Sequence, residues 1–265
     1  MPKFSANISM LFTEVDFLDR FEKAALAGFK AVEYQFPYAW EAEQLAEKAA
    51  TYGLQTVLHN FPPGDWDAGE RGLALLPGRQ EEFKKSVRLA LHYAKTTACP
   101  CLNCLAGLKR EDISEADIRQ TLVANLRFAA DALGRENIRL LVEPLNARDV
   151  PGFYLNRSAP ALALMKEVDH PNIWLQYDIY HMQIMEGNLM QTIQKNLPRI
   201  AHIQLADNPG RHEPGTGEIN FANLLAFIDH AGYGGWIGCE YKPAGRTEDG
   251  LGWLKPYLQR RDDDG

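Results

Sequence analysis

The sequence lacks the features that mark membrane-spanning, secreted and nucleic-acid-binding proteins. No apolar run approaches the roughly 20 residues that a membrane helix needs. The N-terminus has no basic segment followed by a long apolar stretch, so no secretory signal peptide is expected there. Lysine and arginine number 28 against 35 aspartates and glutamates, a formal net charge of −7, whereas non-specific nucleic-acid binding needs a large positive surface. We therefore expect a cytoplasmic protein with neither a membrane nor a nucleic-acid partner.

Cysteine is also scarce, with four residues in the chain. Cys99, Cys101 and Cys104 lie close together in the sequence, and Cys239 is distant. A close group of cysteines suggests zinc, but no second Cys or His pair completes a zinc-ribbon spacing. We expect buried, reduced cysteines, as is typical of a cytoplasmic protein.

Strand-like and helix-like segments alternate along all 265 residues. Short runs rich in branched and aromatic residues predict strands, and apolar residues at helical spacing predict the helices between them. The predicted strands cover residues 3–10, 29–36, 54–59, 100–105, 138–143, 173–178, 200–206 and 236–241. The predicted helices cover residues 16–27, 41–52, 80–97, 114–133, 158–168, 181–196, 221–230 and 247–258, with a break or loosening of the sixth at Gly187.

This alternation implies parallel strands, because each crossover helix returns the chain to the same edge of the sheet. Eight such units predict an α/β protein with a closed (β/α)8 barrel, the TIM barrel, as a single domain over residues 1–258. Residues 259–265 are expected to form a disordered tail. A doubly wound open sheet is the alternative, but that fold usually carries a glycine-rich turn after its first strand, and the segment ANISMLFTE contains no glycine.

A parallel barrel binds its ligands at the C-terminal ends of the strands. Each of the last four predicted strands carries an oxygen ligand in an otherwise apolar run: Glu143, Asp178, Gln204 and Glu240. Three carboxylates and an amide oxygen meeting there would repel one another unless a divalent cation lay between them. Oxygen ligands favour Mg²⁺, with Mn²⁺ as the alternative, over zinc. For any single one of these residues, an ion pair with a lysine or arginine across the barrel is an equally good interpretation.

Other polar residues lie at or near the ends of the predicted strands. They are Glu33, Gln35, His59, Asn60, Asn103, Asn146, His202, Asp207 and Lys242. His59 is either a site residue or a buried core histidine. His181 follows Asp178 by three residues and is either a first-turn helix residue that faces the site or an ordinary solvated histidine.

Two long loops are expected to border the site. The loop over residues 60–79 contains too many prolines and glycines for one regular element, and loops of this length are often lids. Glu70 lies in this loop. The loop over residues 207–219 follows the seventh strand. An anionic substrate would need nearby cations because the site is ringed by carboxylates, with a solvated loop charge as the alternative for each candidate. The candidate cations are Arg211, His212 and Lys242.

Several long segments together resemble one known family. They are FSANISMLFTE, HNFPPGDWDAGERGLALLPGR, LLVEPLN, QYDIYHMQIMEG, HIQLADNPGRHEPGTGEIN and GWIGCEYKP. The chain resembles the hydroxypyruvate isomerase family, which belongs to the xylose-isomerase-like barrel superfamily alongside ketose 3-epimerases and endonuclease IV. The resemblance runs from Phe4 to about Tyr257.

The resemblance implies a (β/α)8 barrel and the reversible isomerisation of hydroxypyruvate to tartronate semialdehyde. It implies that Glu143 and Glu240 are the paired acid and base. The divalent metal of the wider superfamily would be held by Glu143, Asp178, Gln204 and Glu240. Sugar epimerases usually have a histidine at the position of Gln204, and this departure leaves the identity of the metal open. No organic cofactor is expected, because the reaction is redox-neutral within the substrate.

The expected partner is a small anionic hydroxy-oxo acid of three or four carbons. The expected substrate-binding residues are His59, His181, Arg211, His212, Lys242 and Glu70. A sister group in the same family acts on 2-oxo-tetronate, and a ketose 3-epimerase or a non-catalytic metabolite-binding barrel are further alternatives. A DNA-repair nuclease would need several more metal-binding histidines and a basic groove. The sequence leaves the oligomeric state open, with a homo-oligomer as one option.

Overall fold

Eight parallel strands form a closed barrel in the computed structural model, which describes residues 1–258. The strands are β1 (Lys3–Asn7), β2 (Ala31–Tyr34), β3 (Gln55–Asn60), β4 (Cys101–Asn103), β5 (Arg139–Val142), β6 (Ile173–Asp178), β7 (Ile200–Leu205) and β8 (Trp236–Cys239). Each strand pairs with the next one in the chain, and β1 pairs with β8 to close the barrel. The predicted α/β barrel is therefore confirmed. The predicted disordered tail, residues 259–265, lies outside the described residues.

Helices surround the barrel on its outer side. They are α1 (Arg20–Leu26), α2 (Ala42–Thr51), α3 (Gln80–Thr96), α4 (Glu115–Gly134), α5 (Ser158–Val168), α6 (Ile179–Met185), α7 (Leu189–Asn196), α8 (Phe221–His230) and α9 (Lys255–Leu258). Two of these helices start at a side-chain cap, since the Ser114 hydroxyl accepts the Asp117 N–H at α4 and the Asn220 side chain accepts the Asn223 N–H at α8.

Two predicted helices differ from the structure. The helix predicted over residues 181–196 is split into α6 and α7, because Gly187 and Asn188 both adopt positive φ angles, 60° and 46°. The last predicted helix is a 3-10 helix over Thr247–Leu254 that precedes the short α9. Gly250 and Gly252 lie within it, and glycine weakens the α-helix.

The inside of the barrel is apolar at one level and polar at the next. A small apolar cluster is formed by Leu58, Cys101, Leu141 and Ala201. Successive side chains of a strand point to opposite faces, so residues two positions further along return to the inner face. By this rule Asn60, Asn103 and Glu143 lie above the apolar cluster. The polar level is therefore at the C-terminal ends of the strands, which we call the barrel mouth.

The loop between β3 and α3 has a fixed second half and an exposed tip. Gly72 donates its N–H to the Pro63 carbonyl over 2.8 Å, and Leu75 donates to the Ala106 carbonyl over 3.1 Å. Gly72 has a φ of 125°, and a Cβ there would lie 2.3 Å from the Leu105 carbonyl oxygen, so only glycine fits. The predicted long loop is present, with residues 65–68 exposed at its tip.

All four cysteines are buried and free, as the sequence predicts. Within residues 1–258, no helix combines the length and the apolar character needed to cross a membrane.

Candidate active site

Three carboxylates meet at the barrel mouth. Glu143 follows β5, Asp178 ends β6 and Glu240 follows β8, and their exposed fractions are 4%, 0% and 5%. We call these three residues the carboxylate cluster. One ligand atom from each of Glu143, Asp178 and His181 lies within 4.8 Å of the others. The structure thus brings together residues that are distant in sequence, at the end of the barrel where parallel barrels bind ligands.

Arg211 is the cation paired with this cluster. Its Nη2 lies 2.7 Å from Glu240 Oε2 and 4.0 Å from Asp178 Oδ2. Its guanidinium lies over the Tyr180 ring, 5.2 Å from the centroid, an attractive placement for a cation. Its Nε is buried without a hydrogen-bond partner. Arg211 therefore retains one unused N–H that faces no acceptor.

The loop after β7 is built to present Arg211. The fully buried carboxylate of Asp207 accepts the N–H groups of Gly215, Gly217 and Ile219 over 2.9 to 3.1 Å. The Arg211 carbonyl also accepts the Lys242 N–H over 2.8 Å. Asp207 therefore serves the backbone of this loop, and the loop in turn fixes the base of the Arg211 side chain.

His181 is held as a neutral hydrogen-bond donor. Asp178 caps the start of α6, its Oδ1 accepting the His181 N–H over 3.1 Å. The His181 Nδ1 accepts the backbone N–H of Asn146 over 3.1 Å, which leaves the proton of the neutral ring on Nε2. Nε2 lies 3.8 Å from Asp178 Oδ2. Burial lowers the pKa of His181 to about 4, so the ring is uncharged at neutral pH.

Neutral amides from the first half of the chain orient the two glutamates. Asn7 and Gln35 donate to Glu240 Oε1 over 3.0 Å and 3.1 Å. Asn103 donates to Glu143 Oε2 over 2.7 Å. Hydrogen bonds to a carboxylate fix its orientation without adding charge. These three amides were not assigned a role from the sequence, although Gln35 and Asn103 stand at strand ends there.

The surroundings of the cluster raise the pKa values of both glutamates. Burial raises the pKa of Glu143 well above its usual value, and the negative charges of Glu240 and Asp178 raise it further. Burial likewise raises the pKa of Glu240 to about 7, with Arg211 opposing the shift and Asp178 and Glu33 adding to it. Groups with pKa values near neutrality are suited to both taking up and releasing a proton.

The cluster also fits a divalent cation. Asp178 Oδ2 is buried and has no hydrogen-bond partner, and the cluster holds three carboxylates, of which Glu240 and Asp178 lie within 4.0 Å of Arg211. Oxygen atoms of this kind suit a hard cation such as Mg²⁺ or Mn²⁺. Ligand atoms of Glu143 and Asp178 lie within 4.8 Å of each other, while the His181 ring, with its proton on Nε2, faces the cluster as a donor.

Gln204, the fourth predicted metal ligand, lies in a hydrogen-bonded network beside the cluster. Its Nε2 donates to Glu33 Oε1 over 2.8 Å, and its Oε1 accepts from Gln176 Nε2 over 2.6 Å. Glu33 is fully buried. It appears in the sequence as a strand-end carboxylate, but nothing in its local pattern shows which residues it contacts across the barrel.

The structure corrects the expected placement of His59. Leu58 packs inside the barrel, so the neighbouring His59 points outward to the helices. Its ring stacks on Tyr34 and lies edge-on to Tyr38, and its Nδ1 lies 3.3 Å from the Asn60 carbonyl oxygen. Burial lowers its pKa to about 4. His59 therefore has the surroundings of a neutral core histidine.

Three other expected substrate-binding residues have different surroundings. Glu70 pairs with Arg79 and accepts the Asp65 N–H, so it ties the β3–α3 loop to the start of α3. His212 Nδ1 lies 2.7 Å from the Lys242 carbonyl oxygen, and the Lys242 side chain is exposed. Of the six expected substrate-binding residues, the structure brings Arg211 and His181 to the carboxylate cluster.

Comparison with known proteins places this chain in a family. A family profile described as xylose isomerase-like TIM barrel matches residues 21–257. The chain is 51% identical over 257 residues to a hydroxypyruvate isomerase from Escherichia coli, covering 97% of this chain and all of that protein. The chain belongs to the hydroxypyruvate isomerase family of xylose isomerase-like barrels. The resemblance inferred from the sequence motifs is thereby confirmed.

Other relatives show the range within the family. A 2-oxo-tetronate isomerase from Cupriavidus necator is 47% identical, with 98% of this chain and all of that protein covered. This chain also resembles the crystal structure of a Brucella melitensis protein that is named AP endonuclease, family 2. The two structures superpose with a TM-score of 0.95 at 46% sequence identity, over 97% of this chain and 99% of that one. The E. coli and C. necator relatives, both matched over their full length, are named isomerases. This chain is an enzyme of the isomerase class.

Proposed function

We propose that the protein interconverts hydroxypyruvate and tartronate semialdehyde through an enediolate, with Glu143 and Glu240 as the acid and base. The observation that carries this proposal is the pair of buried glutamates at the barrel mouth, both with raised pKa values, of which Glu240 pairs with Arg211. The 51% identity to a hydroxypyruvate isomerase over the full length supports the substrate.

The reaction moves hydrogen between two neighbouring carbons. One glutamate removes a proton from C3 of hydroxypyruvate, and the other delivers a proton to C2. The hydroxyl proton of O3 is released as the C3 carbonyl forms, and the former C2 carbonyl oxygen gains a proton. Atoms and electrons balance within the substrate, so no oxidant, reductant or organic cofactor is required.

Two further residues act on the substrate in this proposal. Arg211 holds the C1 carboxylate through its unused Nε–H. His181 donates its Nε2 proton as a hydrogen bond to a substrate oxygen, since its Nδ1 is occupied by the Asn146 N–H. Both interactions favour the negative charge that develops on the enediolate. His59, His212, Lys242 and Glu70 have no assigned step.

A divalent cation completes the site, with Glu143, Asp178, Gln204 and Glu240 as the residues that would hold it. A cation held there would supply positive charge that stabilises the negative charge developing on the substrate. We propose Mg²⁺, with Mn²⁺ as the alternative, because the ligand set consists of oxygen atoms. Such an ion would also offset the mutual repulsion of the three buried carboxylates.

A second candidate function is the isomerisation of 2-oxo-tetronate, a four-carbon acid. It is favoured by the 47% identity to the enzyme of that name from C. necator. A nuclease is disfavoured by the net charge of −7, and the cluster of possible metal ligands found within residues 1–258 contains one histidine.

We further infer a cytoplasmic location, because four buried free thiols suit a reducing compartment. A homo-oligomer remains a prediction.

Steady-state kinetics on the two acids test the proposal. Purified protein is treated with a chelator, then assayed with and without added Mg²⁺ or Mn²⁺ on hydroxypyruvate and on 2-oxo-tetronate. We expect a higher kcat/KM for hydroxypyruvate and a loss of turnover after chelation that either ion reverses. A higher kcat/KM for 2-oxo-tetronate would favour the second candidate, and no turnover of either acid would overturn the isomerase proposal.

A further inference from the structure

We propose that Glu33 is a positioning residue that sets the orientation of the Gln204 and Asn7 amides at the barrel mouth. This inference rests on the proposed function, because it concerns the same site. It assigns a role to a carboxylate that takes no part in the proton transfers. Glu33 is buried below the mouth, on β2, where no substrate atom is expected to reach it.

Four donors converge on the Glu33 carboxylate, two on each oxygen. Oε2 lies 2.8 Å from Ser5 Oγ and 2.8 Å from His202 Nε2. Oε1 accepts from Gln204 Nε2 over 2.8 Å and from Asn7 Nδ2 over 3.2 Å. The donors come from β1 and β7, which are separate in sequence. Oε2 thus contacts Ser5 and His202, deeper in the barrel, and Oε1 accepts from the Gln204 and Asn7 amides, which reach the mouth.

The Gln204 amide can present either its oxygen or its nitrogen to the site, and Glu33 selects the oxygen. A carboxylate only accepts hydrogen bonds, so the Gln204 nitrogen must face it. A flipped amide would place two acceptor oxygens against each other at the 2.8 Å contact. The Gln204 oxygen accepts one hydrogen bond from Gln176, and its second lone pair remains for a cation.

Asn7 links Glu33 directly to the catalytic Glu240. Its Nδ2 donates to Glu33 Oε1 and also to Glu240 Oε1 over 3.0 Å. Its Oδ1 accepts the Ser9 N–H over 3.2 Å, so every hydrogen-bonding group of the Asn7 side chain is used. If Glu33 lost its acceptor character, Asn7 would lose one of the two contacts that hold its amide toward Glu240.

Gly238 on β8, which pairs with β1 on the side away from β2, supports the same conclusion. A Cβ at this position would lie 2.3 Å from both Glu33 oxygens. Its backbone is outside the left-handed region that would itself require glycine. Space for the Glu33 carboxylate is therefore a sufficient reason for glycine here, which indicates that the barrel is arranged around that group.

The experiment compares E33Q with the control S5A. E33Q keeps the shape of Glu33 but offers one N–H₂ group in place of an acceptor oxygen. S5A removes a donor from the other Glu33 oxygen and leaves the amides of Gln204 and Asn7 untouched. For each protein we would measure the Kd for Mn²⁺ by electron paramagnetic resonance, kcat and KM on hydroxypyruvate, and thermal unfolding. The Gln204 side-chain amide would be followed by NMR of protein labelled with ¹⁵N-glutamine, with Q204L for assignment.

We expect E33Q to weaken Mn²⁺ binding and to lower kcat by about 10- to 100-fold, as is typical when a residue that orients a metal ligand is lost. KM should change less than kcat. S5A should stay within about twofold of the wild type on both measurements. Wild-type Gln204 should give a downfield-shifted amide proton that exchanges slowly, and E33Q should lack it. If E33Q does not fold, E33D, which withdraws the oxygens by one methylene, should show the same changes.

Two results would overturn the inference. One is a folded E33Q with wild-type Mn²⁺ affinity, kcat and Gln204 amide signal. The other is S5A losing as much as E33Q, because general packing around Glu33 would then explain both. If the wild type neither binds Mn²⁺ nor turns over hydroxypyruvate, the proposed function fails. The test of the inference is then the Gln204 amide signal alone. Loss of this signal in E33Q would support the inference, and a signal that persists in E33Q would contradict it.

Discussion

The two halves of the barrel mouth carry different chemistry. Strands β1–β4 end in neutral amides, which are Asn7, Gln35, Asn60 and Asn103. At the ends of β5–β8 stand the carboxylate cluster and Gln204. The hydrogen bonds run from one half to the other, since Asn7 and Gln35 donate to Glu240 and Asn103 donates to Glu143. The acidic half supplies the reacting groups, and the amide half orients them.

This division limits the charge that the fold must bury. Each unpaired buried charge is costly, and the acidic half already has two more carboxylates than arginines at the cluster. Amide donors orient a carboxylate and add no further charge.

The largest effect should follow removal of an acidic group that transfers a proton. We expect E143Q and E240Q each to lower kcat on hydroxypyruvate by about 10²- to 10⁴-fold, because a glutamine cannot take up or deliver the proton. Circular dichroism should show a folded barrel in both. E115Q, the same change in the exposed ion pair with Lys109, is the control. Near-normal turnover in E143Q or E240Q would remove that residue from the acid–base pair.

The second effect concerns stability and pH in chelated protein. The pKa of Glu240 is about 7 in the folded chain against an ordinary value of 4.5, so the folded state favours the protonated form. That contribution is present below pH 4.5 and is lost as the pH rises through about 7. Relative to E240Q, the wild type should lose on the order of 3 kcal/mol of unfolding free energy between about pH 5 and about pH 8.

Urea denaturation with a chelator at both pH values measures this difference. E240Q is the matched control because glutamine does not titrate at that position. An equal change in unfolding free energy for the wild type and E240Q would show that Glu240 does not have a raised pKa. At the higher pH, Mg²⁺ or Mn²⁺ should stabilise the wild type more than E240Q if the cation is held by the cluster.

A smaller effect should follow changes in the amide half. N103L removes the 2.7 Å hydrogen bond to Glu143 and should lower kcat by about tenfold, the equivalent of a charged hydrogen bond. N103D replaces the donor with a carboxylate and should lower kcat further, because it adds like charge beside Glu143. The two variants are compared by steady-state kinetics. An N103D enzyme as active as N103L would show that the neutrality of this half is unimportant.

The smallest effect on catalysis should come from His59. H59F should lower the free energy of unfolding by about 1 kcal/mol, since the ring packs between Tyr34 and Tyr38. Its kcat and KM should stay within about twofold of the wild type. Urea denaturation and steady-state kinetics on the same preparation separate the two quantities. A loss of kcat larger than the loss of stability can explain would return His59 to the site.

The strands and their parallel order could be predicted because the chain repeats one strand–helix unit with clear helix periods. The last helix differs from the prediction because Gly250 and Gly252 weaken an α-helix over this segment. The carboxylate cluster was predictable because acidic residues in apolar strand ends are rare without a function. The side of β3 on which the His59 side chain lies could not be predicted. A strand buried on both sides lacks the alternation of apolar and polar residues that distinguishes inside from outside. Glu33 contacts Gln204 and His202 across the barrel, at separations of 171 and 169 residues, which no local pattern reveals.

The central claim is that carboxylates of β5–β8 move hydrogen between neighbouring carbons of a small hydroxy-oxo acid. The most direct measurement is NMR of the wild-type protein with hydroxypyruvate in D₂O, with and without chelator. We expect deuterium on carbon and an aldehyde signal, both lost in chelator and restored by Mg²⁺ or Mn²⁺. Hydroxypyruvate that binds but keeps its protons and gives no aldehyde would contradict it.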